Sequence, residues 1–394
     1  MSKSTLGNII MLAIWVPFFA SSIDAFFDIT SITNKIIQII WFVSVFCVIK
    51  LLCRSRNPPA IKKGLLFAIF LTIYGVLHLL FGRPVNAVDR IVPTTEYLIG
   101  IISSLFPVFF VYYYSTFGYI TEDIIRRWSL LFIVTILISY PNSVAHIQSS
   151  MDYEQFTNNI GYTLVHCLPF ILFWYRKPLF QYALFFVIGI FIMNALKRGP
   201  ILIWFLLFGI FILKNFSRFK KASFKQKAIL FFLPVVAVIF GYYYYNNYLS
   251  DNIGFINRIN ATLAGDDSGR EDIYMNIFNT FYEESNCIQY LIGHGADSTI
   301  KYFQIHAHND WLELLLNQGL LGVILYLLFF SSLWNQVKHS SDVLGKNILL
   351  NIIIMLFVTS MFSMSYMAYD TSIQLLLGYA IFRSSKCKNI PNSI

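Results

Sequence analysis

The chemically richest stretch of this chain is a short polar run that contains two histidines and two carboxylates. The run is His306-Ala307-His308-Asn309-Asp310-Trp311-Leu312-Glu313, and it leads through Gly319-Leu320-Leu321-Gly322 into an apolar segment that ends near Leu333. Histidine titrates near neutrality, so it can accept or donate a proton at physiological pH. Polar clusters at the mouth of a membrane span often mark functional sites. The run therefore predicts a proton-transfer site at the start of an apolar helix.

Asp310 and Glu313 have the three-residue spacing of a capping box, which predicts a helix beginning at about Trp311. His308 and Asn309 would then lie just outside that helix, at the outer membrane surface. We interpret His308 as the catalytic candidate, held in place by a rigid helix. The alternative is that the two carboxylates only cap the helix and the histidines are solvated loop residues.

Two interpretations of His306 stay open: a supporting role at the site, or a solvated position in the loop. With His308 and Asp310 it also forms an alternating pattern that could bring three metal ligands to one side. Only the isolated His294 and some loop carboxylates could complete such a shell. We therefore expect neither a metal nor another cofactor.

Cations on the outer side are the second candidate group. Lys197 and Arg198 precede Gly199 and Pro200, and proline is typical of the first turn of a helix. An arginine at a helix start suits a phosphate, which its planar fork binds through two hydrogen bonds. Lys197 is equally well explained as an interfacial side chain that extends to the membrane surface.

Arg270 is a third outer cation, at the start of a segment with helical periodicity. An ion pair with Asp266, Asp267 or Glu271 is the alternative to a binding role. The apolar positions of the segment are typical of an amphipathic helix at the membrane surface; they are Ile273, Ile277 and Phe281, with Tyr274 and Phe278 beside them.

Composition places these residues in a membrane protein. The chain has 394 residues, of which 57% are hydrophobic and 12% charged, well outside the soluble range. Apolar runs predict an all-α polytopic membrane protein with about twelve transmembrane helices. We place them near residues 8–27, 36–53, 64–81, 97–115, 128–140, 160–175, 179–195, 200–213, 228–245, 314–334, 347–363 and 367–383.

The organisation that follows has three parts. Residues 1–245 hold nine of the predicted helices, residues 246–310 form one large outer loop with the amphipathic helix, and residues 311–394 hold the last three. Most lysines and arginines fall on alternate connections, which the positive-inside rule assigns to the cytoplasm together with both termini. Topology and anionic lipid thus explain the net charge of +9 without nucleic acid.

Three elements taken together resemble the bacterial O-antigen polymerase and O-antigen ligase superfamily. They are Arg198-Gly199 at a span start, Ser268-Gly269-Arg270 opening the amphipathic segment, and His308-Asn309-Asp310-Trp311-Leu312-Glu313 followed by Gly319-Leu320-Leu321-Gly322. The matching region runs from about residue 190 to 335. The first half of the chain resembles the superfamily only in containing several consecutive predicted transmembrane helices.

The resemblance implies a GT-C-like, metal-independent glycosyltransferase at the periplasmic face of the bacterial inner membrane. Its donor would be a glycan on undecaprenyl diphosphate, and a chain-length regulator is among the expected partners. Arg198 and Arg270 would bind the diphosphate and stabilise the leaving group, and His308 would activate or orient the acceptor hydroxyl. His306, Asn309, Asp310, Glu313 and Lys197 are the possible supporting residues.

Polymerases and ligases of the family share these motifs. A polymerase moves the growing chain onto a new lipid-linked repeat, whereas a ligase moves the finished polymer onto the lipid A core. The unbroken run from His308 to Glu313 favours a polymerase.

A transporter or flippase with an outer gating loop would instead need charges or broken helices at mid-depth of the membrane, and most spans lack charges. A purely structural membrane scaffold would give no reason for Arg198, Arg270 and His308 to share a face.

Overall fold

The computed structural model describes residues 2–23, 30–88, 90–150, 160–195, 197–220, 270–363, 365–367 and 369–385, together with residues 223, 224, 228, 232, 235, 239 and 242. Within these ranges the chain is almost entirely helical. The helices before residue 221 are α1 (Lys3–Ile23), α2 (Thr30–Leu52), α3 (Pro59–Phe81), α4 (Thr94–Thr116), α5 (Glu122–Ser150), α6 (Ile160–Cys167), a 3-10 helix (Leu168–Trp174), α7 (Pro178–Asn194) and α8 (Arg198–Lys220).

The helices after residue 269 include three short ones that lead to three long ones. They are α9 (Arg270–Glu284), α10 (Cys287–Ile292), α11 (Ser298–Phe303), α12 (Asp310–His339), α13 (Val343–Phe362) and α14 (Thr371–Ser384). We label them in order of the described chain. A two-stranded antiparallel hairpin, β1 (Val85–Asn86) and β2 (Ile91–Val92), lies between α3 and α4.

The predicted class, an all-α polytopic membrane protein, is confirmed. Eight described helices are long and apolar enough to cross a membrane, and the segments Ile160–Trp174 and Pro178–Asn194 are shorter apolar helices. Each corresponds to a predicted span. The predicted span at 367–383 corresponds to the 14-residue helix α14, which is not among these ten. The predicted span at 228–245 lies mostly outside the described residues, so the total of about twelve stays a prediction. The same holds for the large outer loop, because residues 243–269 are not described.

The chain divides into two compact units. The first takes in residues 1–17, 32–121 and 269–394, and in it α3, α4, α12, α13 and α14 pack against one another. Phe67 of α3 stacks on Tyr326 of α12 with 5.0 Å between ring centroids. At Gly378 a Cβ atom would lie 2.4 Å from the carbonyl oxygen of Val108. Glycine therefore allows α14 and α4 the close approach that is typical of membrane helices.

The second unit takes in residues 18–31 and 122–268. Its described core joins α5 to the 3-10 helix, and α7 to α8. Phe185 of α7 stacks on Phe211 of α8 at 4.8 Å, and the Trp204 indole donates a 2.9 Å hydrogen bond to the Phe185 carbonyl. These contacts hold α8, which begins at Arg198, against α7.

Candidate functional site

Asn309 is the N-cap of α12, one residue earlier than the N-cap of the predicted capping box. It has an extended backbone, and its side-chain oxygen accepts hydrogen bonds from the backbone N–H groups of Trp311 (3.0 Å) and Leu312 (3.3 Å). Asn is among the best residues for this position. The capping box predicted for Asp310 and Glu313 is therefore wrong, because Asn309 already caps the helix and both carboxylates make contacts elsewhere.

Asp310 is fully buried and its carboxylate points into the protein. One oxygen accepts from the Ser365 backbone N–H at 2.7 Å, and the other accepts from the Tyr326 hydroxyl at 2.9 Å and from the Ser365 hydroxyl. Buried polar groups are normally hydrogen-bonded, and these bonds join the start of α12 to its second half and to the segment after α13. Asp310 is thus a structural anchor of the site.

The arrangement also bears on the metal-ligand pattern of His306, His308 and Asp310. Both oxygens of Asp310 are engaged by donors of the protein itself. His294 is the other isolated candidate, and its Nε2 atom lies 2.8 Å from the Ser285 hydroxyl oxygen. In the part of the chain that the structure covers, no group of three or more His, Cys, Asp or Glu residues is arranged to hold a metal ion.

Glu313 is the centre of a second buried network. One carboxylate oxygen accepts from the Thr299 hydroxyl, from Asn317 Nδ2 at 3.3 Å, and lies 3.4 Å from His306 Nδ1. The other oxygen accepts from the backbone N–H of Ala307 at 2.8 Å. A single carboxylate thereby holds the short helix α11, the loop between the two histidines and the first turns of α12.

Negative charge around His306 raises the pKa of its imidazole. Burial alone would lower that pKa, but the hydrogen bond and charge of Glu313, with the charges of Asp297 and Glu96, outweigh the effect of burial. Burial also raises the pKa of Asp297 to about 6; the charge of His306 lowers it, and those of Glu313 and Glu96 raise it further. The pKa of each group is thus raised above its ordinary value, and each carries a proton over a wider pH range than it would in solvent.

Asp297 and His78 were not predicted from the sequence. Asp297 precedes α11 in a left-handed conformation (φ 57°) and is buried, and its Oδ2 lies 3.5 Å from Nε2 of His78 in the last turn of α3. Within the described chain neither atom has a hydrogen-bond partner. The only sequence signal was that Asp297 follows Gly293-His294-Gly295-Ala296, a turn-forming run next to the polar loop.

His308 has a different environment from His306. Its side chain is exposed and its backbone is left-handed, with φ 51°. Such a conformation is uncommon for a residue other than glycine and often accompanies a functional site. The flanking residues are fixed, since Ala307 is held by Glu313 and Asn309 caps α12. The loop thus presents His308 outward from a rigid support.

A kink divides α12 below this loop. Gly319 has φ 66° and ψ −165°, between two helical parts, so the carbonyls of the preceding turn lose their helical partners. His294 donates its backbone N–H to the Leu316 carbonyl at 2.8 Å, and Gly295 donates to the Asn317 carbonyl at 2.9 Å. A Cβ atom added at Gly319 would lie 2.5 Å from the Gly293 nitrogen. A Cβ atom added at Gly293 would lie 2.4 Å from the Asn317 backbone. Both glycines are required for this contact.

The helix predicted from Arg270 onward is present as α9, with Arg270 as its first residue. Part of its apolar face packs inside the protein: Ile277 and Phe281 are buried against Ala307 and Leu316, whereas Phe278 is exposed. A position of α9 at the membrane surface stays a prediction. The packing brings α9 into the same unit as His308. Ser268, Gly269 and the acidic candidates Asp266 and Asp267 lie outside the described residues.

Arg198 and Lys197 lie in the second unit. Arg198 is the exposed first residue of α8, as predicted from the position of Pro200, and anions are favoured at a helix N-terminus. The Lys197 ammonium group lies 5.6 Å from the centroid of the Tyr162 ring. That contact favours the interfacial interpretation of Lys197 and leaves Arg198 as the cation presented at the helix start.

The fold and this site define a polytopic membrane protein with a loop of two histidines at the start of a kinked helix. Residues 183–327 match the family model described as O-antigen ligase, a region that includes Arg198, Arg270 and the loop from His306 to Asn309. The match supports the resemblance to the O-antigen polymerase and ligase superfamily, whose members are glycosyltransferase-like enzymes. No curated protein matches the sequence. The match gives no support to the transporter alternative.

Proposed function

We propose that this protein is a membrane glycosyltransferase that polymerises undecaprenyl-diphosphate-linked repeats at the periplasmic face of the inner membrane, with both termini in the cytoplasm. The observation that carries the proposal is the exposed, left-handed His308, rigidly supported between Ala307 and Asn309 within the segment that matches the family. The distribution of lysine and arginine supports the orientation. The expected partners are the lipid-linked glycan, membrane lipid and a chain-length regulator.

The proposed reaction transfers a glycan from the lipid diphosphate to a sugar hydroxyl. The hydroxyl oxygen attacks the anomeric carbon, its O–H bond breaks, and the bond from that carbon to the diphosphate oxygen breaks with its electron pair. Arg198 and Arg270 would bind the diphosphate and stabilise its charge, which needs no metal. His308 would orient or activate the attacking hydroxyl.

A ligase remains the second candidate, because the matched family model is described as O-antigen ligase. The two activities differ only in the acceptor. For a polymerase the acceptor is another lipid-linked repeat, whereas for a ligase it is the lipid A core. An assay that resolves the glycan by chain length and by attachment therefore separates them.

The test is a deletion strain complemented with wild type, Arg198→Ala, Arg270→Ala or His308→Ala. We expect each variant to lower the amount of polymer about 100-fold or more, since each removes charge stabilisation or acid–base chemistry from the transition state. Arg127→Ala and His339→Ala are matched controls, because both side chains are exposed and neither belongs to the candidate site. Immunoblotting confirms equal amounts of protein.

Three outcomes are informative. Loss of the ladder with one repeat still attached to the core supports a polymerase. Loss of all attached glycan, with accumulation of lipid-linked polymer, supports a ligase. Full ladders from all three site variants would contradict the proposed site.

A further inference from the structure

The imidazole of His306 is paired with a buried carboxylate. Its Nδ1 lies 3.4 Å from Oε1 of Glu313, and 35% of the His306 side chain is exposed against 2% of the Glu313 side chain. A carboxylate at Nδ1 fixes the tautomer of an imidazole and leaves Nε2 as its proton acceptor. This is the geometry of an oriented general base.

The carboxylate is itself held rigidly. Besides His306, Glu313 accepts from the Thr299 hydroxyl, from Asn317 Nδ2 and from the Ala307 backbone N–H. Asn317 also accepts from the Thr299 backbone N–H at 3.2 Å. These three donors would be enough to satisfy the hydrogen-bonding capacity of Glu313 if its role were only structural. The position of the His306 ring beside it is therefore an additional feature of the site.

Three carboxylates, each from a different element, act on His306. Glu313 approaches from α12, Glu96 from the start of α4, and Asp297 from the turn before α11. His78 of α3 lies behind Asp297. The carboxylates raise the pKa of the His306 imidazole, so that it is a stronger base than a solvated histidine.

We propose that His306, oriented by Glu313, accepts the proton of the attacking hydroxyl, while His308 orients that hydroxyl. The inference rests on the proposed function. In the step, the hydroxyl O–H bond breaks and the proton moves to Nε2 of His306 as the oxygen bonds to the anomeric carbon. The diphosphate leaves with the electron pair of its bond to that carbon. His306 is then a catalytic residue and Glu313 a positioning residue.

The direction of the pH dependence follows from this role. His306 must be neutral to accept a proton, so kcat/KM rises with pH through the pKa of its imidazole and is lost below it. Glu313→Gln removes the charge that raises this pKa. The acidic limb of the profile is therefore expected to move to lower pH, with kcat about 10- to 100-fold lower because the ring is no longer oriented.

The experiment measures kcat/KM against pH for the full-length protein in liposomes, with a lipid-linked repeat as substrate. His306→Asn is the second variant; it leaves the three other donors to Glu313 in place, so we expect it to fold even if Glu313→Gln does not. It should lower kcat about 100-fold or more and abolish the acidic limb. His339→Asn is the matched control and should leave the profile unchanged.

Two results would overturn the assignment. One is a His306→Asn protein with wild-type kcat and an unchanged acidic limb. The other is a folded Glu313→Gln protein that is less active by the same factor at every pH, which is what a purely structural role predicts. Failure of the proposed function is distinguishable, since wild type itself would then leave the lipid-linked repeat unchanged at every pH.

Discussion

Replacing Gly319 with alanine is expected to destabilise the protein by roughly 2 to 4 kcal/mol, because a strained backbone and a backbone clash coincide there. The φ and ψ angles of Gly319 (66° and −165°) belong to a region that is essentially confined to glycine. The new Cβ would also lie 2.5 Å from the Gly293 nitrogen and 2.6 Å from the Leu291 carbonyl carbon, and backbone atoms cannot move aside as a side chain can. Thermal unfolding of the detergent-solubilised protein measures the effect.

Gly209→Ala is the control for this substitution. Gly209 lies inside α8, where an added Cβ would meet nothing within 4 Å, and alanine is favoured over glycine in a helix. We expect the midpoint of unfolding to be unchanged or slightly raised. A Gly319→Ala protein as stable as Gly209→Ala would show that the contact between the kink and the turn at Gly293 is absent.

Asp310→Ala is expected to cost about 3 kcal/mol or more, because it leaves a buried N–H and two hydroxyls without their acceptor. The donors are the Ser365 backbone, the Ser365 side chain and Tyr326. Asp310→Asn is the matched variant. Its amide oxygen can accept from the Ser365 N–H, and both hydroxyls can turn to accept from its NH₂ group, so we expect a loss of about 1 kcal/mol.

The order of stability, measured by thermal unfolding, is thus wild type, Asn, then Ala. Equal stability of all three proteins would contradict the role of Asp310 as an anchor. A stable Asp310→Asn protein that had lost glycan synthesis would show instead that the charge of Asp310 takes part in the reaction.

Membrane spans and helix starts were the features most accessible to sequence reasoning. The apolar runs predicted the long helices because burial in lipid requires a span of about 20 apolar residues. Helical periodicity located α9 at Arg270, and the polar run located the start of α12 within one residue. These features depend on composition and on neighbours in sequence, which a single sequence contains.

The partners of the two carboxylates could not be predicted in the same way. Asp310 and Glu313 have the spacing of a capping box, yet their donors include Ser365 and Thr299, which tertiary packing brings to them. Nothing in the periodicity of α3 indicates that His78 meets Asp297. The contacts of Ile277 and Phe281 were not predicted for a similar reason, because an apolar stripe fits a protein surface and a membrane surface equally well.

The roles of the predicted site residues remain proposals. His308, Arg198 and Arg270 are assigned to the reaction by resemblance and by the chemistry of their side chains. Asn309 and Asp310 have structural roles in the cap and the anchor. The division of the chain at residues 245 and 310 also stays a prediction, since the described chain omits most of the connection between them.

The most direct test of the account is elongation of a purified lipid-linked repeat by the purified protein in liposomes, with the products resolved by length. We expect a ladder of undecaprenyl-diphosphate-linked oligomers from wild type and none from His308→Ala, with Arg127→Ala matching wild type. The assay contains no lipid A core, so a ligase would leave the repeat unchanged. An unchanged repeat with folded wild-type protein, followed by transfer to core once lipid A core is added, would contradict the polymerase and establish the ligase.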